Sequence, residues 1–179
     1  MSTAPTNSSV KPGNDVDRLF AGVPCLCDGA MGTMLLDRGI SLDRCYEELN
    51  LSLPETIADI HTKYLRAGAQ VIETNTFGAN SYRLEHFGLR NQLIPINLAG
   101  VHMARQCANQ FPGKSWVAGS VGPLGERLEP LGPVSLEKAR STFAEQIRAL
   151  AEGGPGVGID LLMIETMTSL AEATEAIRA

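Results

Sequence analysis

No apolar run in this chain of 179 residues approaches the roughly 20 that a membrane span needs, so no transmembrane segment is expected. Basic charge is scarce: 15 Lys and Arg stand against 20 Asp and Glu, a net charge of -5. No Lys/Arg cluster offsets it. A nucleic-acid partner is therefore disfavoured, because phosphate neutralisation needs a basic face. Cysteine is thin as well, with only Cys25, Cys27, Cys45 and Cys107. That is too few and too scattered for a disulfide framework, and free thiols in a reducing compartment are expected. The residues Met1 to Asp17 lack the apolar centre of a secretion signal, so a disordered tail over residues 1–20 and a cytoplasmic location are expected.

What is present is an alternation of short apolar runs with longer amphipathic ones. Val23 to Cys27 reads as a strand closed by Asp28-Gly29. Pro54 to Ala67 reads as a helix, with proline at its first turn and Gly68 past its end. Ala69 to Glu73 is a second strand, followed by a short candidate helix at Ala79 to His86 and a long helical pattern from Asn91 to Gln110. Trp116 to Val121 is a third strand. Ser135 to Glu152 is a helix that Ser135 can cap, with Leu136, Ala139, Phe143, Ile147 and Leu150 on one stripe. Gly153 to Gly158 is a short loop, Ile159 to Ile164 a strand of fully buried character, and Leu170 to Ala179 another helix. Continuous apolar strands, each followed by a helix, mean βαβ units and a parallel sheet. About four units fit either an open doubly wound sheet or the first half of an eight-unit barrel.

In both architectures ligands bind beyond the carboxyl ends of the strands. The first strand ends in Asp28-Gly29-Ala30-Met31-Gly32-Thr33, whose glycines permit a sharp turn and whose following helix start can face a carboxylate. A plain strand-to-helix turn capped by Asp28 is the competing reading. The second ends in Glu73-Thr74-Asn75-Thr76, polar side chains that can position a substrate or satisfy loop backbone. The fourth ends in Glu165, placed either to bind a substrate ammonium or to pair with a neighbouring cation. Arg83 and His86 are near the second strand end by sequence alone. Cys25 and Cys27 share a strand face and read as small buried thiols. With His61, His86 and His102 they lack ligand spacing, so no metal site within the chain is expected. Met31, Met34, Met103, Met163 and Met167 read as core filler, and Trp116 as packing. No Lys ends any expected strand, which counts against a Schiff-base lyase or aldolase.

Taken together, DGAMGTMLLDRGI, DRCYEELN, PETIADIHTKYLRAGAQVIETNTFGANSYRLEHFGL and GIDLLMIET resemble the homocysteine-binding methyltransferase family. That family includes the first domain of cobalamin-dependent methionine synthase, and Gly39 to Asn50 is most similar to bacterial forms fused to a methylenetetrahydrofolate reductase domain. The resemblance runs from about Val23 to Ala179. It implies a (βα)8 TIM barrel, of which residues 21–179 would be the N-terminal half, truncated after about four βα units. It implies methyl transfer to homocysteine, giving methionine, through a zinc ion held by three cysteines that makes the substrate sulfur a thiolate. By position, Asp28 and Glu165 match carboxylates that bind the substrate amino group, and Gly29 to Thr33 match the turn beside its carboxylate. Asn75 joins them as a candidate. The zinc ligands are expected in the later part of the barrel, since none of the four cysteines matches a ligand position. The methyl donor is left open, with a methyltetrahydrofolate or cobalamin among the candidates and fused reductase or cobalamin/folate domains as expected neighbours. Alone, the chain is expected to be inactive, with a non-catalytic amino-acid-binding half-barrel as the alternative.

Overall fold

The computed structural model describes residues 19, 22, 24–111, 115–152 and 157–179. The expected tail lies outside these residues except for Leu19, which packs against Val71, Trp116 and Ala118. The loop expected at Gly153 to Gly158 lies outside them except for its last two positions.

Helix α1 (Met31–Leu36) follows the first glycine turn, and α2 (Leu49–Ser52) leads directly into α3 (Pro54–Arg66). Pro54 occupies the first turn of α3, where its missing N–H is no loss. Ile57, Ile60, His61 and Leu65 recur at helical spacing and are buried. Strand β1 (Val71–Glu73) follows. Asn80 caps α4 (Ser81–Glu85) by accepting the Arg83 N–H at 3.0 Å. A tight 3-10 turn at Arg90–Gln92 then opens the long helix α5 (Leu93–Asn109). After β2 (Trp116–Val121), Ser135 caps α6 (Leu136–Ala151) at 3.2 Å from the Lys138 N–H. Strand β3 (Leu161–Ile164) and α7 (Leu170–Arg178) complete the order, with Ser169 capping α7.

The three strands form one parallel sheet in the order β1-β2-β3. Val71 pairs with Trp116 and Glu73 with Ala118; Ala118 in turn pairs with Leu161 and Val121 with Ile164. Along the other edge of β1 runs Leu26–Asp28, where the Gln70 N–H donates to the Leu26 carbonyl at 2.7 Å and the Asp28 N–H to the Val71 carbonyl at 2.9 Å. All four segments lie side by side in chain order. A doubly wound sheet reverses its order at a switch point and a barrel does not, so the described strands follow barrel order. Every carboxyl end consequently points the same way.

Two expectations need correction at the sheet edges. The first segment is one bridge, Cys27 to Val71, and not a strand over Val23 to Cys27; Val23 lies outside the described residues. Its only described neighbour is β1, so Cys27 is exposed and not a buried thiol, and Leu26 is 56% exposed. Strand β3 is likewise not fully buried: Leu162 is 37% exposed, because β3 forms the opposite edge. Within the α6 stripe, Leu136 is exposed because the first turn extends past the core, while Ala139, Phe143 and Leu150 are fully buried. The five methionines are all partly buried and pack against the borders of the core clusters.

The main core joins Phe143, Val101, Val121, Leu124 and Leu150 where α5 and α6 meet the sheet. Each fully buried side chain of this size contributes roughly 1.5–3 kcal/mol. Beneath it, buried Arg105 donates to the Gly158 carbonyl at 2.9 and 2.8 Å and to Asp160 Oδ2 at 2.6 Å. Asp160 Oδ2 also accepts the Val117 N–H at 2.8 Å. This clamp fixes the entry to β3 and, through that strand, its polar far end. Among the described residues no helix is long and apolar enough to cross a membrane.

Candidate functional site

The carboxyl ends of the four parallel segments converge on a cavity of about 500 Å³. Asp28, Glu73 and Glu165 each lie at or just past a segment end and line it, with the backbone turn from Gly29 to Gly32 on one side. Tyr46 and Glu47 close it from the stretch before α2, and Phe77 and Ser120 complete the wall. Among the described residues no Lys, Arg or His lines this cavity.

Two of these carboxyls are held. Asp28 Oδ2 accepts the Glu73 N–H at 3.0 Å. Glu165 Oε1 accepts the Ser120 hydroxyl at 2.5 Å, and the Thr166 hydroxyl donates to Oε2 at 3.4 Å. Thr166 has φ 56, a left-handed conformation uncommon for a β-branched residue, and it turns the chain immediately after Glu165. The Glu73 carboxyl lines the same cavity as Glu165 and Ser120. Burial, then the neighbouring Glu165 carboxyl and the negative charge of Asp28, push Glu73 up to about 8. Burial also raises Asp28, to about 6, against the opposing pull of backbone N–H bonds.

Of the sequence-derived candidates, Asp28, Gly29, Asn75 and Glu165 line the cavity and Thr33 does not. Thr33 is exposed, and its hydroxyl donates back to the Ala30 carbonyl at 3.4 Å; it sits on the turn of α1 that faces away. Gly29 makes its turn without a left-handed φ. Its smallness serves Tyr64 instead: a Cβ on Gly29 would stand 2.9 Å from the Tyr64 hydroxyl oxygen. The Asn75 amide is already engaged, donating to the Tyr46 carbonyl at 2.7 Å and to Asn50 Oδ1 at 3.0 Å. Asn50 returns a bond to the Asn75 carbonyl at 2.8 Å. Asn75 thus pins the Tyr46–Glu47 wall in place. Thr74 and Thr76 are also engaged, joined at 2.6 Å and tied to the Ser120 carbonyl and N–H. For these three side chains the loop-satisfying reading is the observed one.

Tyr46 and Glu47 were not singled out from the sequence, and Phe77 and Ser120 figured there only as members of the clusters that end the second and third strands, Glu73 to Asn80 and Gly119 to Pro123. Ser120 had a usable signal, its place at the end of an apolar strand beside Glu165. Gly122 had another: a Cβ there would meet the Phe77 ring at 2.5 Å and its carbonyl at 2.7 Å, so Phe77 crosses that strand end. Arg83 and His86 do not reach the cavity. Arg83 lies over the Phe77 ring, 5.6 Å from its centroid, and His86 Nε2 is 3.8 Å from the Glu126 carboxylate.

The zinc that the resemblance implies does not fit these residues. Among the described residues no three His, Cys, Asp or Glu side chains are grouped to hold a metal ion. Cys45 is buried, donates to Glu47 Oε2 at 3.4 Å, and is pushed up to about 12 by burial and by Glu47. Burial raises Cys27 and Cys107 too, away from the thiolate a metal requires.

A sequence profile of homocysteine S-methyltransferases matches residues 25–179. The methionine synthases of Mycobacterium leprae and Mycobacterium tuberculosis are each 33% identical over 159 residues, covering 84% of this chain and 13% of theirs. The homocysteine methyltransferase MmuM of Escherichia coli in its metallated form is 28% identical, with a TM-score of 0.76 over 91% of this chain and 61% of that one. Its apo form gives 0.67 at 26% identity. The chain therefore spans a small part of the matching methionine synthases and about three fifths of MmuM. With a profile match from Cys25 to Ala179 that contains every carboxyl of the cavity, the chain belongs to the homocysteine S-methyltransferase family.

Proposed function

We propose that this chain binds homocysteine by its amino-acid end, within a domain that methylates the homocysteine sulfur to give methionine. The carrying observation is the cavity itself: Asp28, Glu73 and Glu165 at the ends of parallel segments, Glu47 beside them, and among the described residues no cationic side chain in the lining. Such a site suits an ammonium, and charge-assisted bonds from it to Asp28 and Glu165 are the strong kind. The Gly29–Gly32 backbone would then lie beside the substrate carboxylate. Fixing both groups orients the side chain, so that the sulfur points consistently toward a methyl donor.

The architecture we propose is a (βα)8 barrel, to which these residues contribute the amino-acid-binding part. Zinc would activate the substrate thiol when bound. The cysteines here do not hold it, so its ligands are assigned to residues outside this sequence, and methyl transfer by the 179-residue chain alone is not expected. A methyltetrahydrofolate or methylcobalamin donor, with fused reductase or cobalamin/folate domains, is the accompanying proposal, as is a cytoplasmic location. A lyase using Glu73 and Glu165 as acid and base is less well supported, because among the described residues no lysine lines the cavity to activate a carbonyl substrate.

Calorimetric titration of homocysteine into the chain and its Glu165→Gln variant tests the reading. Loss of one bond to a charged group, worth about 1.5–3 kcal/mol, should weaken binding roughly 10- to 100-fold. Equal affinity for both proteins removes Glu165 from the site.

A further inference from the structure

Beside its carboxyls the cavity has an apolar lining of Ala30, Met31, Tyr46 and Phe77. Phe77 is held from several sides. Its ring and carbonyl fill the space that a side chain on Gly122 would need, with a Cβ there 2.5 Å from the ring and 2.7 Å from the carbonyl oxygen. The Gly122 N–H donates to the same carbonyl at 3.0 Å. Arg83, outside the lining, lies over the ring at 5.6 Å from its centroid. Two glycines seat Arg83 in turn: a Cβ on Gly78 would stand 2.8 Å from its Nε, and one on Gly125 3.3 Å from its Cγ. Asn80 Nδ2 donates to the Pro123 carbonyl at 3.2 Å and ties the segment after β1 to the segment after β2. The ring is thus in place before a ligand arrives, and no ordering cost falls on binding.

The polar side chains of the lining, by contrast, have their donors engaged. Ser120 gives its hydroxyl to Glu165, and the Asn75 amide is bonded to Tyr46 and Asn50. The Thr76 hydroxyl donates to the Ser120 carbonyl, so Thr74 donates to Thr76. Asp28, Glu47, Glu73 and Glu165 are carboxyls, which repel an acidic side chain.

We propose that Phe77 is the specificity-determining residue for the substrate side chain, reading sulfur in preference to oxygen against its ring. The inference rests on the amino-acid-binding reading of this cavity and adds the class of side chain that the cavity accepts. Sulfur is polarisable, and its contact with an aromatic ring is favourable. A hydroxyl in the same place gives up water, and among the described residues it finds no free side-chain donor in the lining to replace it. The ring therefore sorts side chains while the carboxyls hold the ammonium.

L-homocysteine and L-homoserine differ only in sulfur against oxygen, which makes them the probes. Calorimetric titration of each into the wild-type chain, under reducing conditions, should show homocysteine bound about tenfold tighter. Phe77→Ala should bring the two affinities close to equality. Phe77→Leu keeps apolar bulk without the ring and should lower the ratio at least about threefold. It decides the matter if the alanine variant fails to fold by circular dichroism. In both variants the preference for homocysteine over its analogue lacking the amino group should persist. A wild-type ratio near one, or a ratio unchanged in a folded variant, overturns this inference and leaves the amino-acid reading standing. Absence of homocysteine binding to the folded wild-type chain overturns both.

Discussion

The Tyr64 hydroxyl occupies the space beside Gly29, where it donates to the Ala30 carbonyl at 3.0 Å and holds the turn that lines the cavity. A Cβ on Gly29 would meet the hydroxyl oxygen at 2.9 Å and two ring carbons at 3.1 and 3.2 Å. Gly29→Ala must therefore push Tyr64 aside. Overpacking of this kind costs about 1–3 kcal/mol, and urea unfolding should show a loss in that range together with weaker homocysteine binding. Unchanged stability would mean that Tyr64 moves freely and does not set the turn.

The buried Arg105–Asp160 pair should be among the most sensitive points of the fold. Asp160→Ala leaves a cation 7% exposed without this partner and removes the acceptor of the Val117 N–H. Breaking a buried pair from one side costs about 3–5 kcal/mol. Denaturant midpoints measure it; a loss below about 1 kcal/mol would place the pair at the level of a surface contact.

Much of this frame was legible because local signals and tertiary structure agree. Pro54, Gly68 and the apolar spacing between them mark α3 to within a residue, and Trp116 to Val121 is apolar enough to be a central strand by composition alone. Asp28 and Glu165 could be found because each ends an apolar run. The misses have a common cause. Tyr46 and Glu47 reach the cavity only because Asn75 ties a distant stretch of chain to the β1 end, and no periodicity encodes that contact. That Thr33 stands outside the cavity lining was not legible, because the sequence does not show which way a six-residue helix turns its side chains.

Ligand-free stability should fall as pH rises from about 6.5 to about 8. The folded-state pKa of Glu73 is raised, so the folded chain binds more protons than the unfolded chain across this window, and stability is lost as the pH climbs through about 8. Unfolding midpoints at several pH values provide the check, and Glu73→Gln should flatten the decline. A rise over this window would reverse the sign and contradict a protonated Glu73.

His61 acts in the opposite sense at lower pH. It is fully buried in α3, and neither ring nitrogen has a partner among the described residues. Burial depresses it to about 4, so its contribution is present above the unfolded value of about 6.5 and is lost as pH falls toward about 4. His61→Leu should remove that acid-side loss, with little penalty at neutral pH because no hydrogen bond is broken. An acid transition identical in the variant would exclude His61 as its source.

The central claim is that the carboxyl-lined cavity captures the ammonium end of homocysteine. Its most direct test compares homocysteine with the analogue lacking only the amino group, each titrated into the same chain at neutral pH. The account predicts at least about tenfold weaker binding of the analogue, equivalent to about 1.4 kcal/mol. Equal affinities would show that Asp28, Glu73 and Glu165 do not read the ammonium, and the assignment of the cavity would fail.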